Sequence, residues 1–532
     1  MILPPPSARA QELPSVNDAE VPGPTIAAPP PPHTLAAVLA AAYRSNPTLQ
    51  ASRYDLRSAD ERIAQANAEL RTSADIQANA GYQWSFVGDA GRSFFSPSYS
   101  QQSRDSVTLS VQQPVYTSGH ATFARRSAEA SIAAARSRLN ATEGDLMLSI
   151  VAAYIDVRRL EVQRTLRTGS VEELRRLEQE IEARQQAGEL TRTDVAQAMG
   201  QIEQAEQRLV QTEQALESVR ADFVSLVGEM PENLAEPPPL PMLPASTDRA
   251  FALAEADSPE LAYARYTEQA SRQDIGTARS AGGPTVAIRG SAAVSGPAYP
   301  YAFRDQNKDF AASVVLSLPL LSGGRTASRI REARARNDAD RLRIEGARRD
   351  MVRAVTNAWN QVAAADRAAD ITERRRQVAT TQLEGMLAEY RVGLRSTFDV
   401  LYAQQNLRDA EVSTLDAQRD QYLSRATLLR RVGLLDIDDL TVGIPTYDPA
   451  RHAKKAATDD DMPWDGAFRA IDTLGASKVR ARPIAAPAPA QQPAIRSAQT
   501  PDPIRPDYVK QVPLAPAPGT TAANPPARRP LK

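Results

Sequence analysis

A chain with 40 prolines holds two long runs that contain none, residues 115–230 and 320–444. Both runs are dominated by Ala, Arg, Glu, Gln and Leu, side chains that lose little freedom on entering a helix. The turn residues Thr117-Ser-Gly119 open the first and Ser322-Gly-Gly324 the second. The first unbroken stretch, about His120 to Ala187, would reach roughly 100 Å at 1.5 Å per residue. No compact domain needs such a rod. Helices of this length occur where neighbours share an apolar seam, in coiled coils or helical barrels.

The two runs are copies of one design. Pro114 and Pro319, Gly119 and Gly324, Tyr154 and Trp359, Gly188 and Gly393, Asp194 and Asp399, and Gly228 and Gly433 all stand 205 positions apart. Upstream, Asn46-Pro47 and Ser258-Pro259 match at an offset of 212, so the length change falls between. A tandem duplication follows. The first repeat covers 34–230 and the second 248–442, joined by a Pro-rich linker over 231–247. The Pro-rich segment 1–33 and the Ala/Pro-rich region 443–532 read as extended, unpacked ends. Met1-Ile-Leu-Pro-Pro-Pro has neither the basic nor the apolar part of a secretory leader, which leaves a start upstream or a processed chain.

Each copy switches from helical to alternating periodicity ahead of its long helix. From Ser73 to Phe86, Ala74, Ile76, Ala78, Ala80, Tyr82 and Trp84 alternate with polar or small residues, as on a two-faced strand. A second strand reads over Ser106 to Tyr116, giving a hairpin at about 73–116. Pro284 to Val294 and Phe310 to Leu320 give its counterpart at about 284–320.

Composition removes several functions. With no cysteine, the chain has no thiolate ligand, thiol nucleophile or disulfide, and His33, His120 and His452 are too scattered for a cluster, so no metal and no cofactor is expected. Its 63 basic and 64 acidic residues leave a formal charge of −1 and no footprint for nucleic acid. No phosphate-binding loop and no Ser/His/Asp group emerges, and the chain is read as a non-enzyme.

No segment approaches the ~18 apolar residues of a spanning helix. Contact with a bilayer would therefore run through strands closed into a barrel. Four strands of about ten residues suit a bilayer's thickness but cannot close, because membrane barrels begin at about eight. Two copies would give a filled interior; three would give twelve strands and room for a lumen. Tyr82, Trp84, Phe86, Phe94, Phe95, Tyr99, Tyr116, Tyr299, Tyr301, Phe303 and Phe310 gather eleven of the 28 aromatics in this region, as interfacial girdles do. A soluble β core rich in aromatics is the alternative.

Hairpin, long helix, Gly-containing turn and return helix, all twice over, resemble the TolC family of outer-membrane export channels across about Leu35 to Gly433. The motifs that carry the resemblance are Ala187-Gly-Glu-Leu-Thr-Arg-Thr-Asp-Val-Ala-Gln-Ala198 and Glu389-Tyr-Arg-Val-Gly-Leu-Arg-Ser-Thr-Phe-Asp-Val-Leu401. The first is most similar to members that serve type I protein secretion. The resemblance implies a mixed α and β membrane protein: a homotrimer whose twelve strands form one transmembrane β-barrel in outer-membrane lipid, continued by a coiled-coil helical barrel across the periplasm to a closed tip. It also implies a passive conduit working with a periplasmic adaptor and an inner-membrane ABC exporter or other pump. Small-molecule efflux is the alternative cargo class, and a soluble coiled-coil adaptor or scaffold the more distant reading.

Carried over residue by residue, the resemblance puts the tip turns at Gly188 and Gly393 and a gate at Asp194, Tyr390, Arg395 and Asp399. Asp399 falls on the family's lumen-facing carboxylate ring, where Tyr402 replaces a second aspartate. Both aspartates also fit capping boxes, Thr191-Arg-Thr-Asp194 and Ser396-Thr-Phe-Asp399, a purely local role. The glycines need only supply a positive φ. Arg395 stands where the first copy has Leu190, an asymmetry that favours a specific role over a surface one. Tyr154 and Trp359 read as packing residues of the seam.

Overall fold

The computed structural model describes residues 34–86, 99–296, 304, 306–435, 447–458 and 461–476. The segment 1–33 with His33, the loop aromatics Phe94, Phe95, Tyr299, Tyr301 and Phe303, and the sequence after 476 lie outside them.

The first repeat runs through α1 (Leu35–Ser45), α2 (Pro47–Ala68), β1 (Ser73–Phe86), β2 (Tyr99–Tyr116), α3 (His120–Gln186) and α4 (Arg192–Val227). The second repeats the order as α5 (Thr247–Asp257), α6 (Pro259–Ser280), β3 (Thr285–Gly296), β4 (Asn307–Ser317), α7 (Arg325–Arg391) and α8 (Thr397–Val432). Local chemistry sets the boundaries. Asn46 accepts from the Leu49 N–H at 3.1 Å with Pro47 at the first helical position, and Ser258 does the same for Leu261 at 3.3 Å ahead of Pro259. Gly119 (φ +81°) and Gly324 (φ +79°) turn the chain from strand into α3 and α7, at a backbone angle that favours glycine.

The four strands form one antiparallel sheet in the order β1-β2-β3-β4, so the central pairing of β2 with β3 joins the two repeats. The register sorts the side chains. Ala74, Ile76 and Ala78 stand opposite Val111, Leu109 and Val107; those align with Gly290, Ala292 and Val294, which meet Ala312, Phe310 and Lys308. That face is apolar and open to its surroundings, with Phe310 82% and Ile76 72% exposed. The other face carries Asp75, Gln77, Asn79, Ser106, Thr108, Ser110, Gln112, Arg289, Ser291 and Ser313. β4 begins three residues before the expected Phe310 and stops at Ser317, short of Leu320; Pro319 has no N–H to continue the ladder. At Pro114 the β2–β3 register shifts for the same reason.

Below the sheet, α2 packs on α3, α3 on α6 and α6 on α7, the same sequence as the strands to which they connect. Further along, α4 pairs with α3 and α8 with α7, while α3 and α8 meet through Arg159–Asp416 (2.6 Å) and Arg419–Asp156 (2.9 and 3.0 Å). The core is divided along the helices. One cluster surrounds the fully buried Tyr154 with Leu39, Leu49, Ile150 and Phe223, and the Tyr154 hydroxyl donates to the Ala235 carbonyl at 2.7 Å, tying down the linker. A second gathers Met351, Val355 and Leu428 with the half-buried Trp359. A third closes the far end around Ile181, Tyr390 and Val400. Each buried side chain of this size contributes about 1.5–3 kcal/mol, so stability is spread along the seam.

The expectation of an unpacked tail from 443 is corrected at two places. Pro449–Thr458 (α9) and Asp465–Thr473 (α10) are helices. The first lies on α2, where His452 Nδ1 stands 3.1 Å from the buried Asp60 and Asn67 donates to the Ala457 carbonyl at 3.3 Å. The second lies on β2 and α3. Helices of nine or ten residues are marginal alone, and partners remote in sequence hold these in place.

Candidate functional site

The two turns at the far ends of the long helices are built alike. At the first, Gly188 (φ +82°) lets the Glu189 N–H return to the Arg184 carbonyl at 2.9 Å; at the second, Gly393 (φ +79°) lets Leu394 return to Glu389 at 2.9 Å. Each return helix then opens with a full capping box. The Asp194 carboxylate accepts from the Thr191 N–H at 2.9 Å and its hydroxyl at 2.7 Å, and the Asp399 carboxylate accepts from the Ser396 N–H at 3.1 Å and its hydroxyl at 2.9 Å. The Thr191 hydroxyl and backbone hold the Asp194 carboxyl below the usual range. Those of Ser396 do the same for Asp399, with the Arg395 charge a smaller contribution.

The other two sequence-picked residues sit differently. Tyr390 is buried in the third cluster against Ile181, Ala198, Val400 and Leu401, with the Arg184 guanidinium 5.1 Å above its ring. Arg395 crosses its own turn to Glu389, Nε to carboxylate at 2.6 Å. Among the described residues of this one protomer no hydrogen bond links Asp194, Tyr390 and Arg395 to one another, whereas all four candidates gather around one end of the same four helices.

Sequence reasoning missed Glu389, Arg184 and Glu189. Arg184 pairs with Glu189 at 3.1 Å, bridging the first turn as Glu389 and Arg395 bridge the second, with the charges exchanged. Spacings of five and six residues match no helical neighbour, so only the left-handed glycines bring these partners together. The offset of 205, which sets Arg184 against Glu389, was the available signal.

The second turn is also the more apolar on its surface. Val392, Leu394, Phe398 and Tyr402 are exposed there, and the rings of Phe398 and Tyr402 stack at 6.2 Å and 14°. Leu190 and Val195 of the first turn instead pack onto the third cluster. Among the described residues no group of His, Asp or Glu is arranged to hold a metal ion, and no helix is long and apolar enough to cross a membrane.

A family model described as outer membrane efflux protein matches residues 38–229 and 251–434, one segment in each repeat. Outer membrane efflux protein BepC of Brucella suis is 27% identical over 79% of this chain and 90% of its own length. Alkaline protease secretion protein AprF of Pseudomonas aeruginosa is 24% identical over the same shares. Among solved structures, the outer membrane protein VceC of Vibrio cholerae superposes with a TM-score of 0.64 at 21% identity, covering 75% of this chain and 96% of that one.

Proposed function

The chain belongs to the outer membrane efflux protein family, and from that premise we propose that three copies form one gated export duct whose barrel lies in the outer membrane and whose helices cross the periplasm. The observation that carries this reading is the two-faced sheet. One protomer offers four strands, an apolar face open to its surroundings, a polar face, and the free edges of β1 and β4. Free edges of such strands call for pairing partners. Closing three sheets edge to edge would give twelve strands, lipid outside and a wet lumen inside.

The helices α3, α4, α7 and α8 would continue that lumen as a tunnel and converge on the Gly188 and Gly393 turns. In this reading Glu389–Arg395 and Arg184–Glu189 stiffen the turns, Tyr390 seats the helices against each other, and Asp194 and Asp399 fix the starts of the return helices. Individual contacts of this kind contribute about 1 kcal/mol or less. Several per protomer, tripled by symmetry, make a closure that a partner can shift through its preference for the open arrangement. The exposed Val392, Leu394, Phe398 and Tyr402 are an apolar surface for a periplasmic adaptor. An inner-membrane ABC exporter or other pump would supply the energy.

For cargo we favour secreted protein, of the type I class. The Thr191-Arg-Thr-Asp194-Val turn and the similarity to a protease secretion protein support it. Small-molecule efflux is the second reading, favoured by the similarity to BepC. Single-channel conductance in planar bilayers tests the duct. Small currents that rise in Arg395→Ala, with altered ion selectivity in Asp399→Ala, are expected. A stable trimer that passes no current would refute it.

A further inference from the structure

Helix α10 buries its acidic residues. Asp465 and Asp472 lie two turns apart on one face, and that acidic face points into the protein, with Asp472 0% exposed. The Asp472 carboxylate accepts five hydrogen bonds from the β2–α3 junction: the Thr117 N–H (2.8 Å) and hydroxyl (2.7 Å), the Gly119 N–H (3.1 Å), and the Thr122 N–H (3.2 Å) and hydroxyl (2.9 Å). Asp465 accepts from the Met462 N–H at 2.9 Å beside Arg71 at 3.6 Å. Beyond the helix, Gly475 approaches the Tyr116 hydroxyl and the Gly119 nitrogen so closely that a Cβ would lie 2.7 and 2.8 Å from them.

Phe468, between the two aspartates, is half-buried, whereas the other large apolar side chains of the helix and its flanks are left outside. Met462, Trp464, Ile471 and Leu474 are exposed, Trp464 at 48% and Leu474 at 86%. A soluble helix would place these residues and the aspartates the other way round. The anchor fixes their level: α10 sits where β2 ends and α3 begins, at the end of the strand that carries Val107, Leu109 and Val111. If the sheet spans the outer membrane, that rim is the periplasmic boundary between acyl chains and headgroups, where tryptophan is enriched and amphipathic helices lie in the plane. The sequence continues with Lys478, Arg480 and Arg482, the charges that favour phosphate headgroups.

We infer that α10, with Trp464 and Leu474, is an interfacial helix that docks on phospholipid of the inner leaflet of the outer membrane. This rests on the reading of the sheet as membrane-spanning. Its occupant is the lipid surface, because the Asp472 anchor sets the exposed apolar side chains at the level where β2 ends, and a basic run follows them in the sequence.

Tryptophan quenching by brominated phospholipid in proteoliposomes tests it, since the chain has three tryptophans. Trp84→Phe with Trp359→Phe leaves only Trp464; Trp359→Phe with Trp464→Phe leaves only Trp84, which reports on the sheet. Expected is quenching of Trp464 that is stronger with bromine high on the acyl chain than near its end, together with quenching of Trp84. Quenching of Trp84 alone overturns the inference and leaves the barrel standing; a blue-shifted, unquenched Trp464 would mean that a neighbouring copy covers the patch, and overturns it too. Loss of quenching at both positions sinks the barrel as well. Should the tryptophan variants not assemble, a spin label on Leu474→Cys in this cysteine-free chain gives the same decision, through relaxation by oxygen against a water-soluble nickel complex.

Discussion

Replacing Asp472 by alanine removes the carboxylate that accepts from Gly119 and Thr122 at the start of the longest helix in the first repeat. Gly119, the N-cap of α3, has no side chain to cap its own helix, and Asp472 acts in its stead from 353 residues away. The substitution strands three backbone N–H groups and two hydroxyls in a buried site. Loss of a cap costs about 1 kcal/mol, and each further buried donor left unsatisfied costs about 1 kcal/mol or more. With water recovering part of the loss, the docking of α10 should weaken by about 3 kcal/mol, close to a 100-fold rise in its opening equilibrium. Amide hydrogen exchange reads this directly. Exchange at Thr117, Gly119, Thr122 and across 465–473 should accelerate about 100-fold, while the amides of the distant Gly188–Asp194 turn keep their rates. Asp472→Asn, which retains one oxygen, should fall between. Unchanged protection at 465–473 in Asp472→Ala would refute the argument, and would mean that the close contacts of Gly475 and the Arg71–Asp461 pair hold the segment unaided.

Three further outcomes are expected. If the Glu389–Arg395 pair stiffens the gate, Glu389→Gln and Arg395→Ala should raise single-channel conductance to similar extents, and the double variant should add little; strictly additive effects would assign Arg395 another partner. Because Asp194 and Asp399 have folded-state pKa values held below the unfolded ones, their contribution to the turns is present above the unfolded carboxylate range and is lost as pH falls through the lower folded values. Amide protection of Thr191 and Ser396 should accordingly persist through mildly acidic pH and drop only in strong acid, and an early loss near neutrality would contradict it. Single cysteines at Thr108 and Ser291 should react with a membrane-impermeant thiol reagent supplied to the lumen, whereas Ile76→Cys and Val314→Cys should react only with lipid-soluble reagents. The reverse pattern would invert the faces of the sheet.

The amino-acid sequence determined what short-range forces decide. Freedom from proline over 115–230 and 320–444, with glycines at 188 and 393, located the helix pairs and their reversals. Alternation located the strands, and the S/T-x-x-D spacing foretold both capping boxes, since all these depend on residues within one turn of each other. Tertiary structure alone decided the rest. The pairing of β2 with β3, the register that puts Val107 beside Val294, the burial of Tyr390, the Glu389–Arg395 bridge and the hold of Asp472 on Thr117, Gly119 and Thr122 all join residues whose proximity no local period encodes. Helices α9 and α10 were illegible for a related reason: segments of nine or ten residues carry too few turns to show a period, and their stability comes from contacts 350 to 392 residues distant along the chain.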